Sequence, residues 1–387
     1  MSSALLGSRI HRNTDIDEIA EKVHAGVRLN AEEGLRLFQH SNLPELAMLA
    51  NYARERLHPN SNQIVTYVVG RNINYTNICW VRCKFCAFYR TPGHEEGYLL
   101  TKEQIFEKIQ QMTDLGGIEI LMQGGLNPRL KIDWYEDLLH SIKDRFGAYG
   151  VILHAFSPAE LIYIARISKL SLADMFQRLK SAGLDSVPGG GAEILTDRVR
   201  QEIAPYKDTA DEWLNCMREA HKAGIRSTVT MMFGSVDTIE DRVEHLIRSR
   251  DLQDETGGFT AFIPWSFQPE GTELHGEKAS AFDYLRTVAV SRLMLDNIPH
   301  IQASWVTQGP KIAQIALRYG INDFGSTMME ENVVSSAGCA FTMPIEETER
   351  LIRAAGYEPA RRTTQYEILP LGAPAGSPWL KALPEAD

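Results

Sequence analysis

The chain has 387 residues, of which 44% are hydrophobic and 23% are charged, and its formal net charge is −10. These values are typical of a soluble globular protein, and the negative charge argues against nucleic acid or polyphosphate partners. No segment approaches the roughly 20 consecutive apolar residues of a membrane span, and the N-terminus lacks the apolar core of a signal peptide. We therefore expect a cytoplasmic protein.

Residues 15–57 have the apolar spacing of amphipathic helices. From Ile64 onward, short apolar runs alternate with helical segments, and Thr101 and Gln104 form a capping-box pattern at the start of one helix. A last helix is expected near 344–355. Eight runs are strand candidates, namely IVTYVVG (64–70), EILMQGG (119–125), VILHAFS (151–157), LDSVPGGG (184–191), TVTMMFG (228–234), FTAFIPW (259–265), IQASW (301–305) and INDFG (321–325).

This alternation of strands and helices predicts an α/β protein with a parallel sheet, and eight units favour a TIM-type (β/α)8 barrel over an open sheet. We expect an N-terminal helical extension over residues 1–60, the barrel over 61–360 and a C-terminal tail over 361–387. Polar and glycine-rich segments follow most of the predicted strands. In a barrel these loops open on one face, where active sites form.

Three of the five cysteines, Cys79, Cys83 and Cys86, lie within eight residues in NICWVRCKFCAFYR. An odd number of cysteines with this clustering does not indicate a disulfide framework. Thiolates at CxxxCxxC spacing fit three corners of a [4Fe–4S] cluster and leave one iron open. A structural zinc site is the alternative, but the nearest histidine, His94, is not at a typical zinc spacing.

The CxxxCxxC motif with an aromatic residue, Phe85, before its last cysteine resembles the radical S-adenosylmethionine (SAM) superfamily over about residues 60–340. The resemblance implies an enzyme with a [4Fe–4S] cluster and SAM as cofactors. In that family the SAM amine and carboxylate bind the open iron, and one electron cleaves SAM to a 5′-deoxyadenosyl radical. It also implies an electron donor such as flavodoxin or ferredoxin, and a barrel of the radical SAM kind. The N-terminal helical cap on this barrel is predicted from the apolar spacing of residues 15–57.

Two further features of the family's SAM site have counterparts in this sequence. Phe85 matches the aromatic residue near the SAM adenine, with ordinary core packing as the alternative. Gln123, Gly124 and Gly125 match the glycine-rich motif that meets the SAM amine through backbone groups, with a simple turn as the alternative. Leu126 stands where the usual family motif has glutamate, so no carboxylate is carried over there.

Two charged residues after the fourth predicted strand complete the SAM site that the resemblance implies. Glu193, in PGGGAEIL, is placed to accept hydrogen bonds from a ribose diol, and Arg198 could pair with the SAM carboxylate. Solvated positions at the start of a helix are the alternatives for both. Cys216 lies on an apolar helix face and is interpreted as a core thiol, and Cys339 is assigned no function.

Six longer segments resemble the menaquinone-pathway (futalosine) group of the superfamily. This group contains aminofutalosine synthases and cyclic dehypoxanthinyl futalosine synthases and is similar to the deazaflavin cofactor synthases. The segments are NINYTNICWVRCKFCAFYR, QGGLNP, HAFSPAEL, PGGGAEIL, FIPWSFQPEGTEL and GINDFGSTMMEENVVSSAG. Together they match the cyclic dehypoxanthinyl futalosine synthase family most closely.

That resemblance implies an oxidative cyclisation of a small-molecule substrate, dehypoxanthinyl futalosine. A hydrogen atom leaves C4′ of its ribose, the carbon radical closes a C–C bond to the attached aromatic ring, and loss of an electron and a proton restores aromaticity. The rival functions are an aminofutalosine synthase, which adds the adenosyl radical to an enol ether, a deazaflavin-synthase-like enzyme, and a non-catalytic iron–sulfur or zinc protein.

Three residues near the ends of predicted strands are candidates for contact with the substrate. His154 is the candidate for the base that takes the last proton, or for a substrate ligand. Gln268 and Trp305 are candidates for contacts with the polar and aromatic parts of the substrate. The alternative for His154 is a hydrogen-bonded histidine of the core. For Gln268 it is loop capping, and for Trp305 it is packing at the rim of the barrel.

Overall fold

A computed structural model describes residues 16–339, 341 and 343–370. None of the helices in these ranges is long and apolar enough to cross a membrane. The helices are α1 (Asp17–Ala25), α2 (Ala31–Gln39), α3 (Leu43–Leu57), α4 (Lys102–Asp114), α5 (Ile132–Phe146), α6 (Pro158–Ser168), α7 (Leu172–Ser181), α8 (Asp197–Ile203), α9 (Ala210–Lys222), α10 (Ile239–Thr256), α11 (Ala281–Met294), α12 (Trp305–Gln308), α13 (Pro310–Ala316) and α14 (Ile345–Ala354). The strands are β1 (Ile64–Val68), β2 (Gly70–Ile73), β3 (Glu119–Met122), β4 (Ile152–Ala155), β5 (Ser186–Val187), β6 (Arg226–Phe233), β7 (Phe259–Ser266), β8 (His300–Ile301), β9 (Asp323–Ser326) and β10 (Glu358–Arg361).

The strands form a curled parallel sheet that closes into a barrel. Seven of them pair in the order β2-β3-β4-β5-β6-β7-β8, and β1 lies between β9 and β10 in a second sheet. Strand β1 runs into β2 across Val69, and a bridge between Gln302 and Asp323 joins the residue after β8 to β9. Counting β1 and β2 as one interrupted strand, eight parallel strands complete the ring, which confirms the predicted barrel.

Each of the eight predicted strand segments overlaps an observed strand, although the shortest strands are only two residues long. The predicted run 301–305 keeps its strand character only at its start, because Trp305 already begins α12. The predicted capping box is confirmed: the Thr101 hydroxyl accepts the Gln104 backbone N–H, and the Gln104 side chain accepts the Thr101 backbone N–H. The last predicted helix is α14.

The N-terminal helices lie on the outside of the barrel. Helices α2 and α3 pack against α10 and α11, and α1 packs against α3. Arg28, in the link between α1 and α2, donates from Nε to the carboxylate of Asp296 at 2.8 Å. The helical segment predicted from 15 to 57 is therefore present as three helices, and residues 1–15 of the predicted extension lie outside the described residues.

A buried charge cluster closes the end of the barrel where the strands begin. Arg362 follows β10 and donates to both carboxylate oxygens of Asp323, at 2.5 Å and 2.9 Å. The Thr364 hydroxyl donates to the Glu119 carboxylate at 2.7 Å, and the Tyr366 ring centroid lies 3.9 Å from the Arg362 guanidinium. The first ten residues of the predicted tail, 361–370, thus include side chains that pack into the barrel, whereas 371–387 lie outside the described residues.

The pair between Arg362 and Asp323 gives a prediction for stability. The two side chains are 3% and 0% exposed. In Arg362→Met the Asp323 carboxylate would stay buried without its cation, so we expect the free energy of unfolding to fall by about 3–5 kcal/mol. Denaturant unfolding followed by circular dichroism measures this change. Arg353→Met is the control, because Arg353 belongs to an exposed ion pair with Glu349, and such pairs contribute about 0–1 kcal/mol. Equal losses in both variants would contradict the prediction.

Candidate functional site

The cysteine loop leaves β2 at the face of the barrel where the strands end. Its start is held by a parallel bridge between Ile78 and Arg90: the Cys79 N–H donates to the carbonyl of Arg90 at 2.8 Å, and the Arg90 N–H donates to the carbonyl of Asn77 at 2.8 Å. Farther along, the Lys84 N–H donates to the carbonyl of Ile203 at the end of α8, at 2.9 Å. The loop is therefore anchored both to itself and to the neighbouring helix.

The three predicted cluster ligands are free thiols in a protected position. Cys79 is buried, at 8% exposed, and Cys83 and Cys86 are half-buried. Burial raises the pKa of all three thiols. Backbone hydrogen bonds oppose that rise at two of them, from Val81 and Leu126 to Cys79 and from Tyr89 and Phe88 to Cys86.

This donor set fits an iron–sulfur cluster. Thiolates are the usual ligands of a [4Fe–4S] cube, and hydrogen bonds to the sulfur atoms help to set its reduction potential. Within the described residues, no group of three or more His, Cys, Asp or Glu side chains could hold a metal ion as they stand. The three thiols are candidates for binding such a cluster because of their chemistry and their protected position on one loop.

The predicted glycine motif lies directly against the cysteine loop. The Gly125 N–H donates to the carbonyl of Thr76 at 2.9 Å. A Cβ atom on Gly125 would lie 2.4 Å from the carbonyl oxygen of Ile78 and 2.9 Å from the Cβ of Cys79. A Cβ on Gly124 would likewise lie 2.7 Å from the Tyr75 ring. Only glycine permits this approach, so the motif and the cysteine loop form one unit.

The loop after β5 meets the loop after β3. A Cβ on Gly190 would lie 2.4 Å from the side-chain nitrogen of Gln123, so the Gln123 amide covers the glycine-rich turn. Glu193, in the same loop, has a positive φ of 45°, which non-glycine residues rarely adopt. Its carbonyl accepts the Met232 N–H at 2.9 Å. The loop is thus held in an unusual conformation beside the glycine motif.

Glu193 forms a buried ion pair with a residue that the sequence analysis missed. The Lys207 Nζ lies 2.5 Å from the Glu193 carboxylate, and the two side chains are 7% and 5% exposed. The same ammonium lies 5.6 Å from the ring centroid of Phe85. The structure therefore brings Phe85 and Glu193 together through Lys207. A single lysine in the loop between α8 and α9 carries no motif, so only the fold identifies it.

Arg198 lies apart from this group. Its side chain is 50% exposed and forms an ion pair with Asp241 on α10, and it also donates to the carbonyl of Val236 at 3.0 Å. Arg200, two residues later, is buried and donates to the carbonyls of Gly191 and Ala192. Arg200 thus shapes the Glu193 loop, and a role for Arg198 at a SAM carboxylate stays a prediction.

The barrel encloses a cavity of about 250 Å³. Its wall includes Gln123 and Gly190 near the glycine motif, His154 and Trp305 inside the ring, and Arg362 in the charge cluster. A second cavity of about 40 Å³ lies beside the cysteine loop. The two cavities share three wall residues, Trp265, Val333 and Val334. The interior of the barrel therefore adjoins the site of the thiols.

His154 lies inside the barrel on β4. Its Nδ1 is 2.7 Å from the Ser186 hydroxyl of β5. Burial, together with the charge of Arg362, lowers the pKa of His154 to about 3, so the imidazole is neutral near pH 7. A neutral buried imidazole on the cavity wall can accept or donate one hydrogen bond, as either a substrate ligand or a core residue would.

The other two predicted substrate contacts border the cavities, but their polar groups are already paired. The Trp305 indole N–H donates to the carbonyl of Ser326 at 3.0 Å. Gln268 borders the smaller cavity; its nitrogen donates to the Ser266 hydroxyl at 3.0 Å and its oxygen accepts the Cys339 thiol at 3.1 Å. These two side chains can therefore contact a ligand mainly by packing against it, because their polar atoms already have hydrogen-bond partners. Cys216 is fully buried in α9.

Two family models match this chain. The model of the radical SAM superfamily matches residues 73–247, which include the cysteine loop, the glycine motif and Glu193. The model of the CofH/MqnC C-terminal region matches residues 256–374, which include β7 and the segment that closes the barrel. The two matches are separated by residues 248–255 of α10 and together include strands β3 to β10.

Several curated relatives are similar over nearly the whole chain. The cyclic dehypoxanthine futalosine synthase of Halalkalibacterium halodurans is 50% identical, over 92% of this chain and 95% of its own length. The enzyme of the same name from Streptomyces coelicolor is 43% identical, over 92% and 89%. The aminodeoxyfutalosine synthase of Thermus thermophilus is 40% identical, over 92% and 96%.

Solved structures share the fold at low sequence identity. Methylornithine synthase (PylB) has a TM-score of 0.70 at 19% identity, over 89% of this chain and 97% of its own. HydG, a maturase of the [FeFe]-hydrogenase, has a TM-score of 0.71 at 19% identity, over 91% and 77%. From the family matches and the near full-length relatives, the chain belongs to the radical SAM superfamily, in the family that shares the CofH/MqnC C-terminal region.

Proposed function

We propose that this enzyme is a radical SAM cyclase of menaquinone biosynthesis, which converts dehypoxanthinyl futalosine to cyclic dehypoxanthinyl futalosine by removing the ribose C4′ hydrogen and closing the ring. The observation that carries the proposal is the identity of 50% and 43% to two relatives named for this reaction, over at least 89% of each chain. The cavity inside the barrel, which adjoins the cysteine loop through shared wall residues, supports it, because a radical reaction needs a substrate held close and shielded from water.

In this proposal the chain's own residues bind and orient the cofactors. Cys79, Cys83 and Cys86 hold the [4Fe–4S] cluster, and the backbone of Gln123–Gly125 receives the SAM amine. Phe85 packs near the adenine, Glu193 accepts hydrogen bonds from the ribose, and Arg198 pairs with the SAM carboxylate once it is released from Asp241. When bound, the cluster and SAM supply the radical that removes one hydrogen atom from the substrate.

The cavity inside the barrel is the proposed substrate site. Trp305 and Trp265 offer aromatic surface to the ring of the substrate, and Gln268 lies where the smaller cavity reaches the cysteine loop. His154 borders the cavity and is the proposed base or substrate ligand; its pKa of about 3 makes the neutral imidazole a weak base and favours the role of substrate ligand. A flavodoxin or ferredoxin is the proposed electron donor.

The products test this function. After anaerobic reconstitution with iron and sulfide, the reduced protein should consume SAM and dehypoxanthinyl futalosine and release free 5′-deoxyadenosine together with the cyclic product. Retention of the adenosyl group in a product made from an enol ether would indicate the aminofutalosine synthase reaction instead. Failure to form a reducible [4Fe–4S] cluster, or to cleave SAM at all, would exclude radical SAM catalysis by this chain.

A further inference from the structure

One buried carboxylate joins three neighbouring strand ends beside the cysteine loop. Glu160, on α6, is 2% exposed. One of its oxygens accepts the Tyr75 hydroxyl at 2.7 Å and the Gly124 N–H at 3.0 Å. The other accepts the N–H and the hydroxyl of Ser157, at 2.8 Å and 2.7 Å. Tyr75, Gly124 and Ser157 each lie two residues after the end of a strand, β2, β3 and β4 respectively.

This arrangement goes beyond helix capping. Glu160 is the third residue of α6 and completes a capping box with Ser157. Glu212 holds the same position in α9 and completes a capping box with Thr209, yet its carboxylate is exposed and its further partner is Arg166 in a surface ion pair. Four donors on one buried carboxylate, two of them from distant segments, indicate that Glu160 has a role outside its own helix.

The hydrogen bond from Gly124 to Glu160 helps to fix the peptide that links Gln123 to Gly124. Its N–H is held by Glu160, and its carbonyl accepts the side-chain N–H of Asn74 at 3.2 Å. The next N–H, of Gly125, donates to the carbonyl of Thr76 at 2.9 Å. Because N–H and C=O point in opposite directions in a trans peptide, these bonds fix the directions of the carbonyls of Gln123 and Gly124.

We propose that Glu160 is the positioning residue of the amine-binding loop: it holds the Gly124 N–H so that the neighbouring carbonyls keep the direction needed to accept the ammonium group of SAM. This proposal rests on the proposed function, since it assumes that SAM binds at Gln123–Gly125. Glu160 is fully enclosed by its four donors and does not itself touch the ligand.

Glu160→Gln tests this role with almost no change in shape. An amide has one acceptor oxygen and one donor nitrogen. In either orientation its NH₂ group faces one of the two donor pairs, which leaves the Gly124 or the Ser157 backbone N–H without an acceptor. An unpaired buried donor weakens an equilibrium by roughly five- to hundredfold, and we expect a rise of that size in the SAM dissociation constant.

Two measurements separate positioning from a general loss of structure. Equilibrium dialysis of the reconstituted, unreduced protein gives the SAM dissociation constant without catalysis. Hydrogen exchange of a peptide spanning residues 120–127 reports the protection of the Gly124 amide, which we expect to fall in Glu160→Gln. Glu212→Gln is the matched control, because it alters the same position of another capping box; it should change neither quantity. Iron content should stay at about four per chain in both variants.

Tyr75→Phe keeps the proposal testable if Glu160→Gln fails to fold or to load iron. It removes one donor and leaves the carboxylate in place, so we expect a smaller rise in the SAM dissociation constant. Unchanged SAM binding in Glu160→Gln overturns the positioning role if the Gly124 amide has lost its protection. If that protection is kept, or if Glu160→Gln fails to fold, unchanged SAM binding in Tyr75→Phe overturns it. If the wild-type protein does not cleave SAM, the proposed function fails instead. The two failures are therefore distinguishable.

Discussion

Cys83→Ala is expected to abolish SAM cleavage while leaving the barrel folded. Cys83 is the middle one of the three proposed ligands in the cysteine loop; burial raises the pKa of its thiol, and the nearby charge of Lys207 opposes that rise. Without it, a cube would be held by two thiolates and would expose a second iron, so the cluster should be lost or damaged. We expect iron to fall well below about four per chain. Anaerobic iron analysis, EPR of the reduced protein and release of 5′-deoxyadenosine measure the effect.

Cys216→Ala provides the control for this prediction. Cys216 is also a free cysteine, fully buried in α9, but its thiol contacts the carbonyl of Pro158 instead of the cysteine loop. Iron content and SAM cleavage should remain close to wild type. Cleavage of SAM at the wild-type rate by Cys83→Ala would show that Cys83 is not a ligand, and loss of iron in both variants would point to a general effect of removing a cysteine.

Gly125→Ala should have a comparable effect by a steric route. The added methyl group would lie 2.4 Å from the carbonyl oxygen of Ile78 and 2.9 Å from the Cβ of Cys79, and both are parts of the backbone frame that cannot rotate away. To relieve this clash, the cysteine loop and the glycine motif would have to move apart by about 1 Å. A misplacement of about 1 Å costs roughly a hundredfold in rate. Single-turnover cleavage of SAM, corrected for cluster content, measures it.

Gly147→Ala is the matched control for Gly125→Ala. A Cβ atom at Gly147 meets no atom within 4 Å, and its φ of −57° is an ordinary helical value that alanine adopts readily. This variant should therefore cleave SAM at the wild-type rate. If Gly125→Ala retained full activity, the close approach of the two loops would not be needed for the reaction.

Much of the fold is readable from the sequence because its signals are local. The alternation of apolar strands with amphipathic helices predicted the barrel, and Thr101 with Gln104 marked the start of α4. Strand β10 was missed. Its sequence, EPAR, has no apolar pattern and contains proline, and it forms a strand only because β1 offers a parallel partner nearly 300 residues earlier in the chain.

The site residues likewise divide into those with a local sequence signal and those without one. Three cysteines within eight residues predict a cluster before the fold is known, and glycines after a strand predict a close approach of the backbone. Lys207 and Glu160 could not be found in this way, since the partner of each lies in another loop. The ion pair of Arg198 with Asp241 was equally unpredictable, because it depends on where α8 and α10 meet. Contacts between distant segments were the part that required the structure.

The closing segment at the beginning of the strands also bears on the order of biosynthesis. The cysteine loop is made in the first quarter of the chain, but Arg362, Thr364 and Tyr366, which border the cavity, are made after every other strand of the barrel. Strand β1 likewise waits for β10 as its second neighbour. During translation the end of the barrel where the strands begin therefore stays uncovered until these residues leave the ribosome. A nascent chain stalled before residue 358 would expose the cavity wall to solvent and to chaperones.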